Sequence, residues 1–210
     1  MKSYREYKNI FLGLSCVLLI ILILVAFGLT AEIDQEVGRD MLLRDQGLFF
    51  KIVNFYTKLL NTKIAVGLGF LIACSFFAFK KFWQGIFVVT SLGIGALLNF
   101  AIKNIYALKR PAYKLIEQGG FTFPSGHSNA AAALAVSLMI IVANTDMSQR
   151  TKRILTFLLS IFMFSMALTR LLLGVHYLSD VCGGLTLGSM TAIFIYALIY
   201  KYKNTKPLND

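Results

Sequence analysis

The chain has 210 residues, of which 57% are hydrophobic and only 15% are charged, and its formal net charge is +11. Soluble domains carry roughly 25% charged residues, so this balance and a mean hydropathy of +0.70 predict an integral membrane protein. The 21 basic residues are scattered between apolar runs and match no known binding motif, which argues against nucleic acid as a partner.

The first apolar run covers residues 10–29 and contains no charge. As a helix it would span roughly 30 Å, the thickness of the hydrocarbon core of a bilayer. Basic residues precede it, as in a secretory signal peptide, but the run is longer than a usual signal core and Leu29-Thr30-Ala31 is a poor cleavage site. We therefore expect a retained first span, followed by a charged segment, residues 31–47, outside the hydrocarbon core.

Residues 48–60 place apolar side chains near helical spacing with Lys51, Asn54 and Lys58 between them. This pattern is typical of an amphipathic helix at the membrane interface, and it is equally compatible with the polar start of a second span. Further spans are predicted at residues 64–79, 82–102, 128–145, 154–169 and 181–200. The predicted fold is all-α, a single membrane-embedded domain over residues 1–210 with six transmembrane helices.

Six spans place both termini on one side of the membrane. Basic residues mark the two tails and the loops after the second and fourth spans, and the positive-inside rule makes these four segments cytoplasmic. The loops after the first, third and fifth spans are then external, in a multi-pass protein of the plasma membrane. Basic residues on the external side are explained if some of them bind a ligand.

Three polar clusters interrupt the second half of the chain, and this topology places all of them on the external side. The clusters are Lys103-x6-Arg110-Pro111, Pro124-Ser125-Gly126-His127 and Arg170-x5-His176-x3-Asp180. Gly183, Gly184 and Gly188, which follow the third cluster, are expected to let neighbouring helices approach closely.

The cations of these clusters predict a phosphate site. Lys103, Arg110 and Arg170 have no matching acids nearby in the sequence, and such charges close to lipid are costly unless an anion neutralises them. An arginine fork suits phosphate oxygens, and a lysine adds a point charge. Ser125 and Gly126 stand where a helix begins, and free backbone N–H groups at a helix start favour an anion.

The two histidines predict phosphoryl transfer. His176 and Asp180 are four residues apart, so on a helix the carboxylate can accept a hydrogen bond from one ring nitrogen and leave the other as a nucleophile. His127 could then protonate the departing alkoxide as a general acid. Taken singly, each group has an ordinary structural interpretation, such as an interfacial cation or a structural hydrogen bond, whereas coincidence at three junctions on one face is improbable.

The three motifs resemble those of the type 2 phosphatidic acid phosphatase superfamily, which includes lipid phosphatases and vanadium haloperoxidases. One departure is Thr169, where the family usually has serine, and this substitution keeps the hydroxyl. The resemblance implies that His176 forms a phosphohistidine, that Asp180 orients it and that His127 is the acid. It implies no metal ion or other cofactor, and it implies that the phosphate is held by Lys103, Arg110, Ser125, Gly126 and Arg170.

The function expected from this resemblance is hydrolysis of a lipid phosphate or diphosphate drawn from the bilayer, with membrane lipids as partners and no obligate protein partner. Undecaprenyl diphosphate, which is released on the external face, phosphatidylglycerophosphate and phosphatidic acid are the candidate substrates, and residues 48–60 are a candidate gate. Alternatives are phosphoryl transfer between lipids, a non-enzymatic lipid transporter, and a vanadate-dependent haloperoxidase. The six predicted spans argue against the haloperoxidase because the resemblance associates that activity with larger soluble chains.

Overall fold

The computed structural model describes residues 4–43, 47–59 and 62–205. Within these ranges the chain is all-helical, as predicted, and forms eight helices and no strand. The helices are α1 (Tyr4–Ala26), α2 (Ala31–Met41), α3 (Leu48–Leu59), α4 (Thr62–Ala78), α5 (Phe82–Tyr106), α6 (Gly126–Ala143), α7 (Gln149–Leu172) and α8 (Leu178–Thr205).

Five helices in the described part of the chain are long and apolar enough to cross a membrane. They cover Arg5–Ala26, Phe82–Tyr106, Gly126–Ala143, Gln149–Leu172 and Leu178–Tyr202. The remaining predicted span, residues 64–79, falls in α4, whose apolar part Val66–Ala78 is shorter than these five. The helices identify a membrane protein with five candidate spans, and the predicted number of six is not confirmed.

The segment between the first two predicted spans is more ordered than its charge suggests. Residues 31–41 form α2, which carries acidic residues in its first turn and Arg39 in its last, the arrangement that the helix dipole favours. The predicted amphipathic helix at residues 48–60 is present as α3 and is described up to Leu59. Residues 44–46, 60 and 61 lie outside the described residues.

Helix α6 is the centre of the bundle and packs against α5, α7 and α8. Its alanines from Ala130 to Ala135 are almost completely buried, and such small side chains let the neighbouring helices approach. A Cβ added at Gly184 or Gly188 of α8 would lie 2.5 Å from the carbonyl oxygen of Ser125 or 2.2 Å from that of Asn129. The expected close approach of helices at these glycines is therefore confirmed, and it brings the starts of α6 and α8 side by side.

Replacement of Gly188 by alanine is expected to destabilise the bundle because the added methyl group meets backbone atoms, which cannot move aside as a side chain can. Overpacking of this kind costs about 1–3 kcal/mol, which should lower the melting temperature of the detergent-solubilised protein measured by loss of its monodisperse size-exclusion peak. Gly93→Ala on α5 is the matched control, since nothing lies within 4 Å of its added Cβ. Equal melting temperatures for the two variants would contradict the close packing.

Candidate active site

The three sequence clusters lie together at one end of the bundle. Lys103 is in the last turn of α5 and Arg170 is in the last turn of α7. Gly126 is the first residue of α6, and Asp180 is in the first turn of α8. Hydrogen bonds described below join residues of all three clusters, so the convergence expected from the alternating direction of the helices is present in the structure.

His176 and Asp180 form a buried pair, with 2% and 1% of their surfaces exposed. His176 Nδ1 lies 3.2 Å from Asp180 Oδ2. The expected contact is present, but its geometry is not the predicted one, since His176 lies before α8, which begins at Leu178. Asp180 reaches back over the helix start and accepts a hydrogen bond from the backbone N–H of Tyr177 at 2.8 Å, as in a capping box. The hydrogen bond from the start of α8 therefore fixes the position of the Asp180 carboxylate.

Arg110 determines which ring nitrogen of His176 carries the proton. Arg110 Nη1 lies 3.0 Å from His176 Nε2, and because a guanidinium can only donate, Nε2 must accept and Nδ1 must carry the hydrogen. Burial, followed by the charges of Arg110, Arg170 and Lys103, lowers the pKa of His176 well below its ordinary value of 6.5. The neutral imidazole with an unprotonated Nε2 is the nucleophilic form.

Lys103 and Arg110 are held by carbonyl oxygens of the loop between α5 and α6. Lys103 Nζ donates to the carbonyl oxygens of Phe121 and Thr122 at 2.8 and 2.9 Å. Arg110 Nε donates to the carbonyl oxygens of residues 119 and 120, both at 3.1 Å. These bonds use some of the N–H donors of each cation and fix its position. Arg110 Nη1 faces the imidazole of His176.

Arg170 is a deeply buried cation with 1% of its surface exposed. Its Nη1 donates to Thr57 Oγ1 of α3, and its Nη2 donates to Gln118 Oε1 at 3.3 Å. Its Nε is buried and has no hydrogen-bond partner among the described residues. A buried unpaired donor is unfavourable by about 1–3 kcal/mol, and more when it is charged, unless an acceptor reaches it.

The start of α6 lies beside these cations. Ser125 is its N-cap, and Ser125 Oγ accepts hydrogen bonds from the backbone N–H and the hydroxyl of Ser128 at 3.4 and 3.0 Å. The backbone N–H of Ser125 donates to the carbonyl oxygen of Asp180 at 2.9 Å. The start of α6 is thereby joined to the start of α8, and Gly126 follows as the first helical residue, as expected.

His127, the second residue of α6, is half-buried and belongs to the same cluster. It interacts electrostatically with Arg170, His176, Arg110 and Lys103. The structure therefore brings the two histidines of the chain into one site.

Polar side chains outside the motifs complete the site, and the motif pattern does not point to them. Thr57 and Gln118 bind Arg170, and Thr122 bonds to both members of the His176–Asp180 pair. Position offers one signal for Thr122, which stands two residues before the start of the Pro-Ser-Gly-His motif. Thr57 comes from α3, far away in the sequence, and it also accepts a hydrogen bond from Thr169 Oγ1 at 3.3 Å.

Helix α2 is also attached to this end of the bundle. Asp34, with 5% of its surface exposed, accepts hydrogen bonds from the backbone N–H and the hydroxyl of Ser179 at 2.8 and 2.6 Å. The carboxylate thus accepts a hydrogen bond from one of the backbone N–H groups at the start of α8 that have no partner within the helix. This contact holds a charged helix directly beside the site.

The chemistry of the cluster suits an anion. In the described ranges, no group of three or more His, Cys, Asp and Glu side chains is placed to hold a metal ion. The side chains that do meet are guanidinium, ammonium and imidazole groups around Asp180, together with the N-terminus of α6. Such donors match the oxygens of a phosphate group.

Comparison with known proteins agrees with this chemistry. The model of the PAP2 superfamily matches residues 84–204. Phosphatidylglycerophosphatase B of Bacillus subtilis is 26% identical over 172 residues, which cover 81% of this chain and 85% of that protein.

Two solved structures share the fold. A transmembrane PAP2-type phosphatidylglycerolphosphate phosphatase from Bacillus subtilis superposes with a TM-score of 0.82 at 24% identity, over 93% of this chain and 98% of that one. LpxE of Aquifex aeolicus superposes with a TM-score of 0.59 at 21% identity, over 78% of this chain and 94% of that one. The expected enzyme class, a lipid phosphatase, is confirmed by these findings together with the family match. Because the family model matches more than half of the sequence, the chain belongs to the PAP2 superfamily.

Proposed function

We propose that this protein hydrolyses the phosphate monoester or diphosphate of a membrane lipid through a phosphohistidine at His176, without a metal ion. The observation that supports this most directly is the buried His176–Asp180 pair, whose Nε2 is unprotonated and faces the guanidinium of Arg110. A nucleophile that lies beside fixed cations is suited to a reaction in which negative charge is spread over phosphate oxygens.

In the proposed complex the phosphate lies between Arg110, Arg170 and the start of α6. The unpaired Nε of Arg170 and the Nη1 of Arg110 would donate to its oxygens, and Lys103 would add positive charge. The backbone N–H groups that follow Ser125 would donate from the helix start, where the helix dipole also favours an anion. This binding mode assigns phosphate recognition to Lys103, Arg110, Gly126 and Arg170, and to Ser125 through its hydroxyl proton, since the backbone N–H of Ser125 already donates to Asp180.

The chemistry then needs two displacements at phosphorus. His176 Nε2 attacks, the P–N bond forms, and the P–O bond to the lipid breaks with its electron pair leaving on that oxygen. His127, which must hold the extra proton as an imidazolium when the lipid phosphate is bound, gives that proton to the leaving oxygen and becomes neutral. Water next attacks the phosphohistidine while His127 accepts a proton from it, so that inorganic phosphate and the free imidazole are released.

The lipid itself is recognised by surfaces that the phosphate motifs do not encode. The name of the Bacillus subtilis relative supports phosphatidylglycerophosphate as the first substrate to test, with undecaprenyl diphosphate and phosphatidic acid beside it. We further propose a plasma-membrane location with cytoplasmic termini and an external site. In that topology α4 is a sixth span, flanked at its end by Lys80 and Lys81, which can reach the headgroups.

Phosphate release by the purified protein in detergent with EDTA is the decisive measurement. The panel holds phosphatidylglycerophosphate, undecaprenyl diphosphate, phosphatidic acid and p-nitrophenyl phosphate. We expect release from at least one lipid, loss of about a thousandfold or more in His176→Ala because the nucleophile is gone, and a strong loss in Asp180→Asn. The rank order of kcat/KM would identify the lipid.

Arg153→Ala, an exposed residue in the first turns of α7, is the control and should keep wild-type activity. If the wild type releases no phosphate from any lipid, the phosphatase proposal is wrong and lipid transport should be assayed, which His176→Ala would leave largely intact. Phosphate appearing on an added lipid acceptor instead of in solution would indicate a phosphotransferase.

The role of His127 can be separated from that of His176 by the leaving group. His127→Ala should slow hydrolysis of a lipid phosphate, whose alkoxide needs a proton, by about 10²- to 10⁴-fold. It should slow p-nitrophenyl phosphate much less, because p-nitrophenolate leaves without protonation. Steady-state rates on both substrates are compared, and an equal loss on the two would remove His127 from the acid role.

Helix α3 is the proposed gate for lateral entry of the lipid. Its side chains Phe49, Ile52 and Phe55 are 59%, 54% and 67% exposed, whereas Thr57 on its other face bonds to Arg170. A helix that touches both the interface and the phosphate site is placed to couple lipid entry to binding.

Replacing Phe49, Ile52 and Phe55 together by serine should lower kcat/KM for a long-chain lipid substrate, by about tenfold for roughly 1.4 kcal/mol of lost interfacial contact. The rate on p-nitrophenyl phosphate should not change. Phe79→Ser is the control, because Phe79 is 77% exposed and directly follows the last residue of α4, at the end of that helix away from α3. Equal effects on long-chain and short-chain substrates, or none on either, would exclude the gate.

A further inference from the structure

We infer that Thr122 is a positioning residue that holds the His176–Asp180 pair in its reactive geometry; this inference depends on the proposed function. Thr122 is completely buried, and its hydroxyl lies between the two partners. Thr122 Oγ1 donates to Asp180 Oδ2 and lies 3.1 Å from His176 Nδ1. A threonine hydroxyl thus joins the nucleophile to its orienting carboxylate.

The direction of these hydrogen bonds follows from the groups involved. A hydroxyl has one proton and two lone pairs, and a carboxylate can only accept, so the Thr122 proton points to Asp180. The Nδ1–H of His176 is then shared between the Thr122 oxygen at 3.1 Å and Asp180 Oδ2 at 3.2 Å. Both distances are longer than the usual 2.9–3.0 Å or so for N–H···O. The ring is therefore oriented by two acceptors together, and neither one alone holds it closely.

The backbone of Thr122 is itself fixed on both sides. Its N–H donates to the carbonyl oxygen of Leu108 at 2.9 Å, and its carbonyl oxygen accepts from Lys103 Nζ at 2.9 Å. One residue consequently links a cation of the proposed phosphate site to the imidazole that attacks the phosphate. Any displacement of this residue changes the distance between the cation and the nucleophile.

This arrangement predicts an effect on the chemical step. When the P–N bond forms at His176 Nε2, the proton stays on Nδ1 and the ring becomes positively charged. The Thr122 oxygen and the Asp180 carboxylate face that proton and stabilise the charge. Thr122 acts through His176 and Asp180, so its loss should slow nucleophilic attack without weakening binding of the phosphate.

The test compares Thr122→Val, which keeps the shape but lacks the hydroxyl, with Thr122→Ser, which keeps the hydroxyl. We expect Thr122→Val to lower kcat by about 10- to 100-fold, by analogy with the loss seen when the hydrogen-bond partner that orients a metal-binding histidine is removed. KM should change by less than about twofold, and Thr122→Ser should recover most of the rate. Wild-type kcat in Thr122→Val, or no recovery by serine, would overturn the inference.

Two further readouts separate positioning from a general structural effect. Thr122→Val should slow p-nitrophenyl phosphate and the lipid substrate by the same factor, since it acts on the nucleophile and not on the leaving group. In the Asp180→Asn background it should cause little additional loss, because residues that act as a unit are not additive. Full additivity of the two substitutions would instead indicate that Thr122 acts independently of the pair.

A measurement without substrate keeps this inference distinct from the proposed function. The chain contains two histidines, so ¹⁵N-histidine spectra of the detergent-solubilised protein are simple, and His127→Asn assigns the signals. The Nδ1–H signal of His176 should move in Thr122→Val and return in Thr122→Ser. An unchanged signal overturns the contact, whereas a moved signal in a protein without phosphatase activity supports the contact and rejects the phosphatase. If Thr122→Val is not monodisperse, Thr122→Ala replaces it.

Discussion

Three cationic side chains, Lys103, Arg110 and Arg170, share one end of the helix bundle, and their mutual repulsion is the constraint that the surrounding structure must satisfy. Cations close together and near lipid are unfavourable unless oxygens surround them. Loop carbonyls accept from Lys103 and Arg110, whereas a hydroxyl and an amide accept from Arg170. The loop between α5 and α6 runs where its carbonyl oxygens can accept from Lys103 and Arg110. Helix α3 is attached where the hydroxyl of Thr57 can accept from Arg170.

The position of the site along the membrane axis could be predicted from the sequence because charge cannot lie deep in hydrocarbon. Lys103 and Arg170 each stand at the end of an apolar run, and the Ser125-Gly126-His127 stretch stands at the start of one. Consecutive spans alternate in direction, so these ends must meet on one face. The structure brings them together there, including the junction of α6 with α8 through Ser125 and Asp180.

Contacts made across the bundle could not be predicted in the same way. Periodicity indicates which face of a helix is buried, but not which residue of another helix lies against it, so the bond from Arg170 to Thr57 of α3 has no signal in the spacing. The spacing of His176 and Asp180 predicts their contact, yet the contact arises from a capping carboxylate and not from one face of a helix. The number of candidate spans also differs from the six predicted, and helix length is the reason. Helix α4 has 17 residues and is shorter than the five helices that qualify as candidate spans.

The hydrogen bond from Arg110 to His176 has a consequence for selectivity. The lone pair of Nε2 is covered by a donor that the proposed mechanism assigns to phosphate binding. In that mechanism an anion that attracts the Arg110 N–H would release the nitrogen in the same movement, so recognition of charge and uncovering of the nucleophile would be a single event. A neutral lipid that entered the site would offer Arg110 no stronger partner than the imidazole, and the nitrogen would stay shielded from it. Discrimination between charged and uncharged headgroups would then precede any bond-breaking step.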